Sequence, residues 1–249
     1  MSQTITGEDQ AEAVARTVQA LGDGQLAVLP TDTVYSVVAD AFQTEATRRI
    51  FTARASDRQA PLTLLIRNPR QVIGLAREVP ETAERLMAAY WPGPLTIVLE
   101  AQPDMPWDLG EAGETVALRM PADDLVLAVA ADVGPLACSG ANRRGDPPPG
   151  TAAEAQAQLG DAVELYVDGG FREAVPSTIV DCRRGSAVVL REGVVSADHV
   201  RQVATGVVQW GSRPPEETEE PAPTEPAPTE PAPTEPASGA ETPNPDGRS

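Results

Sequence analysis

The chain has 249 residues, of which 41% are hydrophobic and only 4% aromatic, and it carries a formal charge of −18. Residues 212–249 contain nine acids and two arginines, net −7, so the preceding 211 residues still carry −11. That balance excludes the broad cationic surface that a nucleic-acid backbone needs, but a small anion held by a few local arginines stays compatible with it.

Residues 7–21 place apolar positions at helical spacing, with Gly22 and Gly24 beyond them, which predicts an amphipathic helix with a glycine stop. A strand at 25–29 then runs into Leu29–Val38, LPTDTVYSVV. Pro30 ends the ladder because it has no N–H to give. Thr31, Asp32 and Thr33 follow as a polar turn at a sheet end, where α/β proteins place ligands; from this stretch alone an Asx/ST turn without a ligand is the preferred reading. Helix 44–54, strand 62–66, helix 70–77 opened by Asn68-Pro69, and helix 80–90 come next, up to the break at Trp91-Pro92-Gly93-Pro94. Strand 95–99 and strand 115–119 flank a loop, and helix 122–132 and strand 135–138 lead to a Gly/Arg/Pro-rich loop at 139–150. Helix 151–158, strands 163–167, 177–182 and 187–191, and helix 196–204 complete the series. The mixture predicts one α/β domain over 1–211 with a large twisted mixed sheet of at least seven strands.

From Ser212 the chain turns to APTEP repeats with almost no aliphatic side chains, and 212–249 is expected to be a disordered acidic tail. Cys138 and Cys182 sit in apolar contexts and are expected as reduced core thiols. No basic-then-apolar leader and no run of membrane-spanning length is seen, so the expectation is a cytoplasmic protein without a membrane partner.

All 19 basic residues are arginine. Those at 54, 58, 119, 143, 144 and 191 fall at predicted strand ends or in loops, where guanidinium groups could converge on an anion. The single histidine, His199, lies on the last helix, and no zinc or P-loop motif occurs, so imidazole catalysis and a protein-built metal site are not expected.

Taken in order, LPTDTVYSV, AYWPGPLTIVL, TVALRMP, CSGANRRG, YVDGG, PSTIVDC and VLREGVVS resemble the YrdC/Sua5 family of L-threonylcarbamoyladenylate synthases over residues 10–204. The resemblance implies a YrdC-like twisted mixed sheet with flanking helices and a concave ligand cleft, in the short single-domain form. It implies a nucleotidyltransferase that joins L-threonine, bicarbonate and ATP, with Mg²⁺, and passes threonylcarbamoyl-AMP to partner proteins that modify adenosine 37 of tRNA. Position by position, it assigns Thr33, Arg119, Ser139 and Ser177 to substrate, Arg119 to the threonine carboxylate in particular. Arg54, Arg58 and Asn142 become the catalytic set, and Thr115, Ala141 and Arg191 the nucleotide side.

The departures from the family pattern cluster. The family's Lys-x-Arg reads Arg54-Ala55-Ser56, with Arg58 two residues on as a substitute; its Ser-Ala-Asn reads Gly140-Ala141-Asn142; and Arg144 stands where a small hydroxylated residue is usual. The alternative that these changes raise is a catalytically impaired paralogue that binds nucleotide or RNA without turnover.

Overall fold

Successive residues of a strand face opposite ways, and here the two faces have different chemistry. Val37, Leu64, Ile97, Leu118 and Val180 enter one apolar cluster, whereas their neighbours Ser36, Thr63, Thr96, Arg119 and Ile179 line an open hollow. The computed structural model describes residues 2–206, so the expected acidic tail lies outside the described residues.

Within those residues the strands are β1 (Gln3–Thr6), β2 (Ala27–Leu29), β3 (Ser36–Asp40), β4 (Thr63–Leu65), β5 (Leu95–Glu100), β6 (Thr115–Arg119), β7 (Leu136–Gly140), β8 (Leu165–Asp168), β9 (Thr178–Asp181) and β10 (Val188–Arg191). They form one ten-stranded sheet in the order β1-β8-β2-β3-β7-β4-β6-β5-β9-β10. It is mixed: β8 pairs parallel with β1 and β2, β4 with β6 and β5 with β9, and the remaining pairs are antiparallel.

The helices are α1 (Gln10–Gly22), α2 (Thr44–Ala53), α3 (Val72–Leu75), α4 (Glu81–Tyr90), α5 (Asp124–Val133), α6 (Ala152–Leu159) and α7 (Ala197–Ala204). Four start with an acceptor side chain on an otherwise orphaned N–H: Asp9 for α1, Asp123 for α5, Thr151 for α6 and Ser196 for α7. Buried residues of α2, α4, α6 and α7 cover one sheet face through Ile50, Leu86, Leu159 and Val200. On the other face, Leu21 of α1 and Val126 and Val129 of α5 pack over Leu29, Val38, Leu136 and Leu165. Each such fully buried aliphatic side chain contributes about 1.5–3 kcal/mol. Because α1 and α5 cover that face only from β8 through β3 to Leu136 of β7 and Leu65 of β4, the remainder stays open to solvent, and this opening is the hollow.

Four expectations need correction. β1 was not anticipated: QTIT is a short, mostly exposed edge segment made a strand only by its parallel pairing with β8. β3 was read as the tail of the polar turn, yet Ser36–Asp40 forms antiparallel ladders with both β2 and β7. Helix 70–77 resolves into a 3₁₀ turn at Pro69–Gln71 and four helical residues, ending at extended Ala76. The expected strand 25–29 is shortened to Ala27–Leu29 by the side chain of Glu164, which takes the Leu26 N–H.

Candidate active site

The hollow encloses about 420 Å³. Its floor is the uncovered sheet face. Cross-strand pairs Ser36–Gly140, Thr63–Cys138, Leu65–Arg119, Thr96–Ile179 and Ile179–Arg191 carry the lining from β3 to β10. Its rim is made by the β2–β3 turn, the end of α2, and the loops after β7 and before β9.

The turn holds itself. The Thr31 hydroxyl accepts from the N–H groups of Thr33 and Val34 at 3.2 Å each and donates to the Val34 carbonyl at 2.7 Å. This is the local hydroxyl–backbone pattern expected of an ST turn, and it fixes Thr33 facing Arg119. The Arg119 side chain is only 5% exposed. Its Nε donates to the Gly93 carbonyl at 3.0 Å, Nη1 to Thr33 Oγ1 at 2.8 Å and Nη2 to Asp32 Oδ1 at 2.5 Å. A guanidinium has five N–H groups, so two remain, on a group whose orientation is already set. The WPGP segment, expected to be purely structural, supplies one of these anchors. A side chain at Gly93 would lie 2.5 Å from the Tyr90 carbonyl, so only glycine lets the turn close there.

Arg54 and Arg191 complete the set. Arg54 donates through Nε to the Asn142 carbonyl at 3.0 Å and through Nη1 to Ser139 Oγ. Arg191, at the solvent-facing rim, donates through Nε and Nη2 to the Ser177 carbonyl at 3.2 and 2.8 Å. Ser177 in turn shares a 2.9 Å hydroxyl contact with Thr96. Among the described residues neither arginine is ion-paired, although the chain has 37 acids against 19 basic residues. Lost hydration lowers the pKa of both; Arg144 pushes Arg54 the same way, and Arg119 does so for Arg191. Guanidinium groups held charged, partly desolvated and without a carboxylate among the described residues make a receptor for an anion.

Of the sequence-assigned residues, the structure brings Thr33, Arg54, Arg119, Ser139, Asn142, Ser177 and Arg191 to this one hollow, and it leaves three out. Arg58 faces a different depression, paired with Asp108 and stacked 5.2 Å from the Phe51 ring centroid. Burial alone would raise the Asp108 carboxyl, but hydrogen bonds from Arg58 and Arg48 hold it below its ordinary pKa, so the pair is firm. Thr115 lies at the other end of β6 from Arg119, four residues or about 13 Å away, with its hydroxyl on the Ala112 carbonyl. Ala141 is fully buried, and its N–H is spent on the Tyr35 carbonyl at 2.8 Å.

Asn142 lines the hollow, but both of its amide N–H groups bond inside its own loop, to the carbonyls of Arg143 and Asp146 at 2.9 Å each. Its Oδ1 fills the place of a Gly140 side chain: a Cβ there would lie 2.6 Å away. Sequence reasoning missed Ser36, Thr96 and Cys138 in the lining, and gave Asp32 no part in holding Arg119. Alternation along β3, β5 and β7 would have found the first three once Arg119 was placed on the same face.

Burial pushes the Cys138 and Cys182 thiols each up to about 12. The thiolate is the reactive form, so both cysteines of the folded protein should resist iodoacetamide at pH 8 and react after unfolding in guanidinium. Mass spectrometry checks this, and labelling of folded protein at a free-cysteine rate would contradict the placement.

Among the described residues, the lining contains hydroxyls and guanidinium groups but no carboxylate or imidazole. Among the described residues no group of three or more potential metal ligands occurs, and Asp32 is taken by Arg119. These residues do not fit a magnesium ion held by the protein itself; they fit the anionic groups such an ion would accompany.

A family model named Sua5_yciO_yrdC, with the description "Telomere recombination", matches residues 19–193. A Mycobacterium tuberculosis protein provisionally named threonylcarbamoyl-AMP synthase is 40% identical over 197 residues, covering 79% of this chain and 91% of that protein. The threonylcarbamoyl-AMP synthase of Pyrococcus abyssi is 36% identical over 183 residues, 73% of this chain and 54% of that protein. In structure, P. abyssi Sua5 complexed with L-threonine superposes with a TM-score of 0.75 at 31% identity, over 82% of this chain. The chain thus spans 60% of that longer protein, but it matches the whole of E. coli YciO, at a TM-score of 0.73 and 25% identity.

Proposed function

Because the chain belongs to the Sua5/YciO/YrdC family, we propose that it is an L-threonylcarbamoyladenylate synthase, making threonylcarbamoyl-AMP and pyrophosphate from L-threonine, bicarbonate and ATP. One observation carries the reading: a clamped guanidinium, Arg119 beside Thr33, shares a single hollow with two guanidinium groups that have no acidic partner among the described residues. The first suits an amino-acid carboxylate and the other two a phosphate chain.

In the reaction, the threonine amine attacks the carbon of carbon dioxide derived from bicarbonate and loses a proton, giving a carbamate. A carbamate oxygen then attacks the α-phosphorus of ATP, the bond to the bridging oxygen breaks, and pyrophosphate leaves. The lining has no proton-transferring base, so its residues act by orientation and charge. Arg119 and Thr33 fix the carboxylate end of threonine. Arg54, steadied by Ser139, and Arg191, steadied by Ser177, offset charge on the phosphates. Magnesium enters this scheme with the triphosphate and is given no protein ligand. The product would serve proteins that transfer the threonylcarbamoyl group to adenosine 37 of tRNA, and a cytoplasmic setting accords with two free, buried cysteines.

A non-catalytic relative is the weaker reading. Its main motive was the changed residues, and of these Arg54 keeps a cation inside the hollow, held on Ser139. The test is to incubate the full chain with ATP, L-threonine and ¹³C-bicarbonate and to look for threonylcarbamoyl-AMP by mass spectrometry. The label is expected in the carbamoyl carbon; well-folded protein that binds both substrates yet forms no labelled product would refute the assignment.

A further inference from the structure

We propose that Arg144 is a third phosphate-binding cation, parked on Asp57 until a polyphosphate enters the hollow. The proposal rests on the synthase reading and names a subsite of it. Magnesium offsets only part of the charge of a triphosphate, and of the three lining arginines Arg119 is already balanced by Asp32. Three other arginines, Arg58, Arg143 and Arg144, lie close in sequence to this rim, and Arg143 is turned to the Gln158 carbonyl. Arg58 is unavailable, being committed to Asp108 with a Phe51 ring against it.

Arg144 differs in each respect. Its backbone N–H donates to the Arg54 carbonyl at 2.8 Å, so its side chain departs from directly beside Arg54. Arg54 also registers the Arg144 charge, which pushes its pKa downward. Among the described residues the one partner of the Arg144 side chain is Asp57 at 2.9 Å, and both side chains are 50% exposed. An ion pair that exposed is weak and readily exchanged, and a phosphate with more charge and more oxygens is the better partner. The loop is nonetheless not loose. The Asn142 amide ties it through the Arg143 and Asp146 carbonyls, and Arg143 Nε donates to the Gln158 carbonyl at 2.8 Å. Asn142 is thus a positioning residue for Arg144, and Asp57 is a stand-in for phosphate.

The experiment measures steady-state kinetics and, separately, binding of inorganic tripolyphosphate by calorimetry, on the full chain. Arg144→Ala is expected to raise the KM for ATP and the Kd for tripolyphosphate about tenfold, the scale of one charged hydrogen bond, with the KM for threonine unchanged. Asp57→Asn is expected to move both in the opposite direction, by about two- to fivefold, because it removes the competing carboxylate. Arg183→Ala, which deletes an arginine held on Asp181 outside the hollow, should change neither. Equal tripolyphosphate affinity in wild type and Arg144→Ala overturns the proposal, whatever the turnover. Arg144-dependent tripolyphosphate binding without threonine-dependent turnover would keep the anion site and overturn the synthase reading instead. If Arg144→Ala also raised the threonine KM, the role would be structural and the proposal would fail.

Discussion

Replacing Arg119 by alanine is expected to lower kcat/KM for threonine by at least about 10³-fold, the combined loss of a forked charged contact and of the geometry it imposes. It is also the substitution with the largest expected effect on folding. Asp32, with a side chain 14% exposed, would keep its charge and lose its partner. Breaking such a pair from one side costs about 3–5 kcal/mol. Two further variants separate these effects. Arg119→Lys retains a cation for Asp32 but cannot reach Gly93, Thr33 and Asp32 at once, so stability should largely recover while threonine kinetics stay poor. Asp32→Asn keeps Arg119 charged but frees one arm, and should raise the threonine KM with a smaller effect on stability. Chemical denaturation beside initial rates distinguishes the outcomes. Threonine kinetics of Arg119→Lys close to wild type would show that the fork plays no part.

The second large effect concerns Arg54 and Arg191. Replacing either with methionine should reduce kcat/KM for ATP by about 10²–10³-fold, the scale found when one transition-state donor is removed from a preorganised site. Stability should move the other way or not at all. A base whose pKa falls on folding subtracts stability wherever it stays charged, which for these arginines is the whole neutral range. Thermal melts without nucleotide should therefore show an unchanged or raised midpoint, and the stabilisation that ATP gives the wild type should be lost. A large drop in the nucleotide-free midpoint would mean that the two side chains are structural.

Much of this site was legible in the chain, and what was not has a physical reason. The polar turn at Thr31–Thr33 is a local hydroxyl–backbone device and reads directly from sequence. Arg119 was assignable from its strand end, but its clamp was not, because Gly93, Thr33 and Asp32 lie 26, 86 and 87 residues away. Arg58 illustrates the opposite failure. Proximity in sequence to the changed position at Ser56 suggested a substitute, but Asp108, from a loop fifty residues on, captures it. Thr115 shares a strand with Arg119 but stands at its other end, a difference that a motif string does not carry. Asn142 was placed in the catalytic set, and the structure spends both its N–H groups on its own loop. The ladders of β1 and β3 depend on partners that only the folded sheet brings together.

The central claim is that one uncovered sheet face binds an amino acid and a nucleoside triphosphate side by side and joins them through a carbamate. Its most direct test is the initial rate of pyrophosphate release from ATP as threonine is titrated in the presence of bicarbonate. The account predicts a rate that saturates with threonine, vanishes without bicarbonate and is lost in Arg119→Ala. A rate independent of threonine, or none at all from folded protein saturated with ATP, would contradict it.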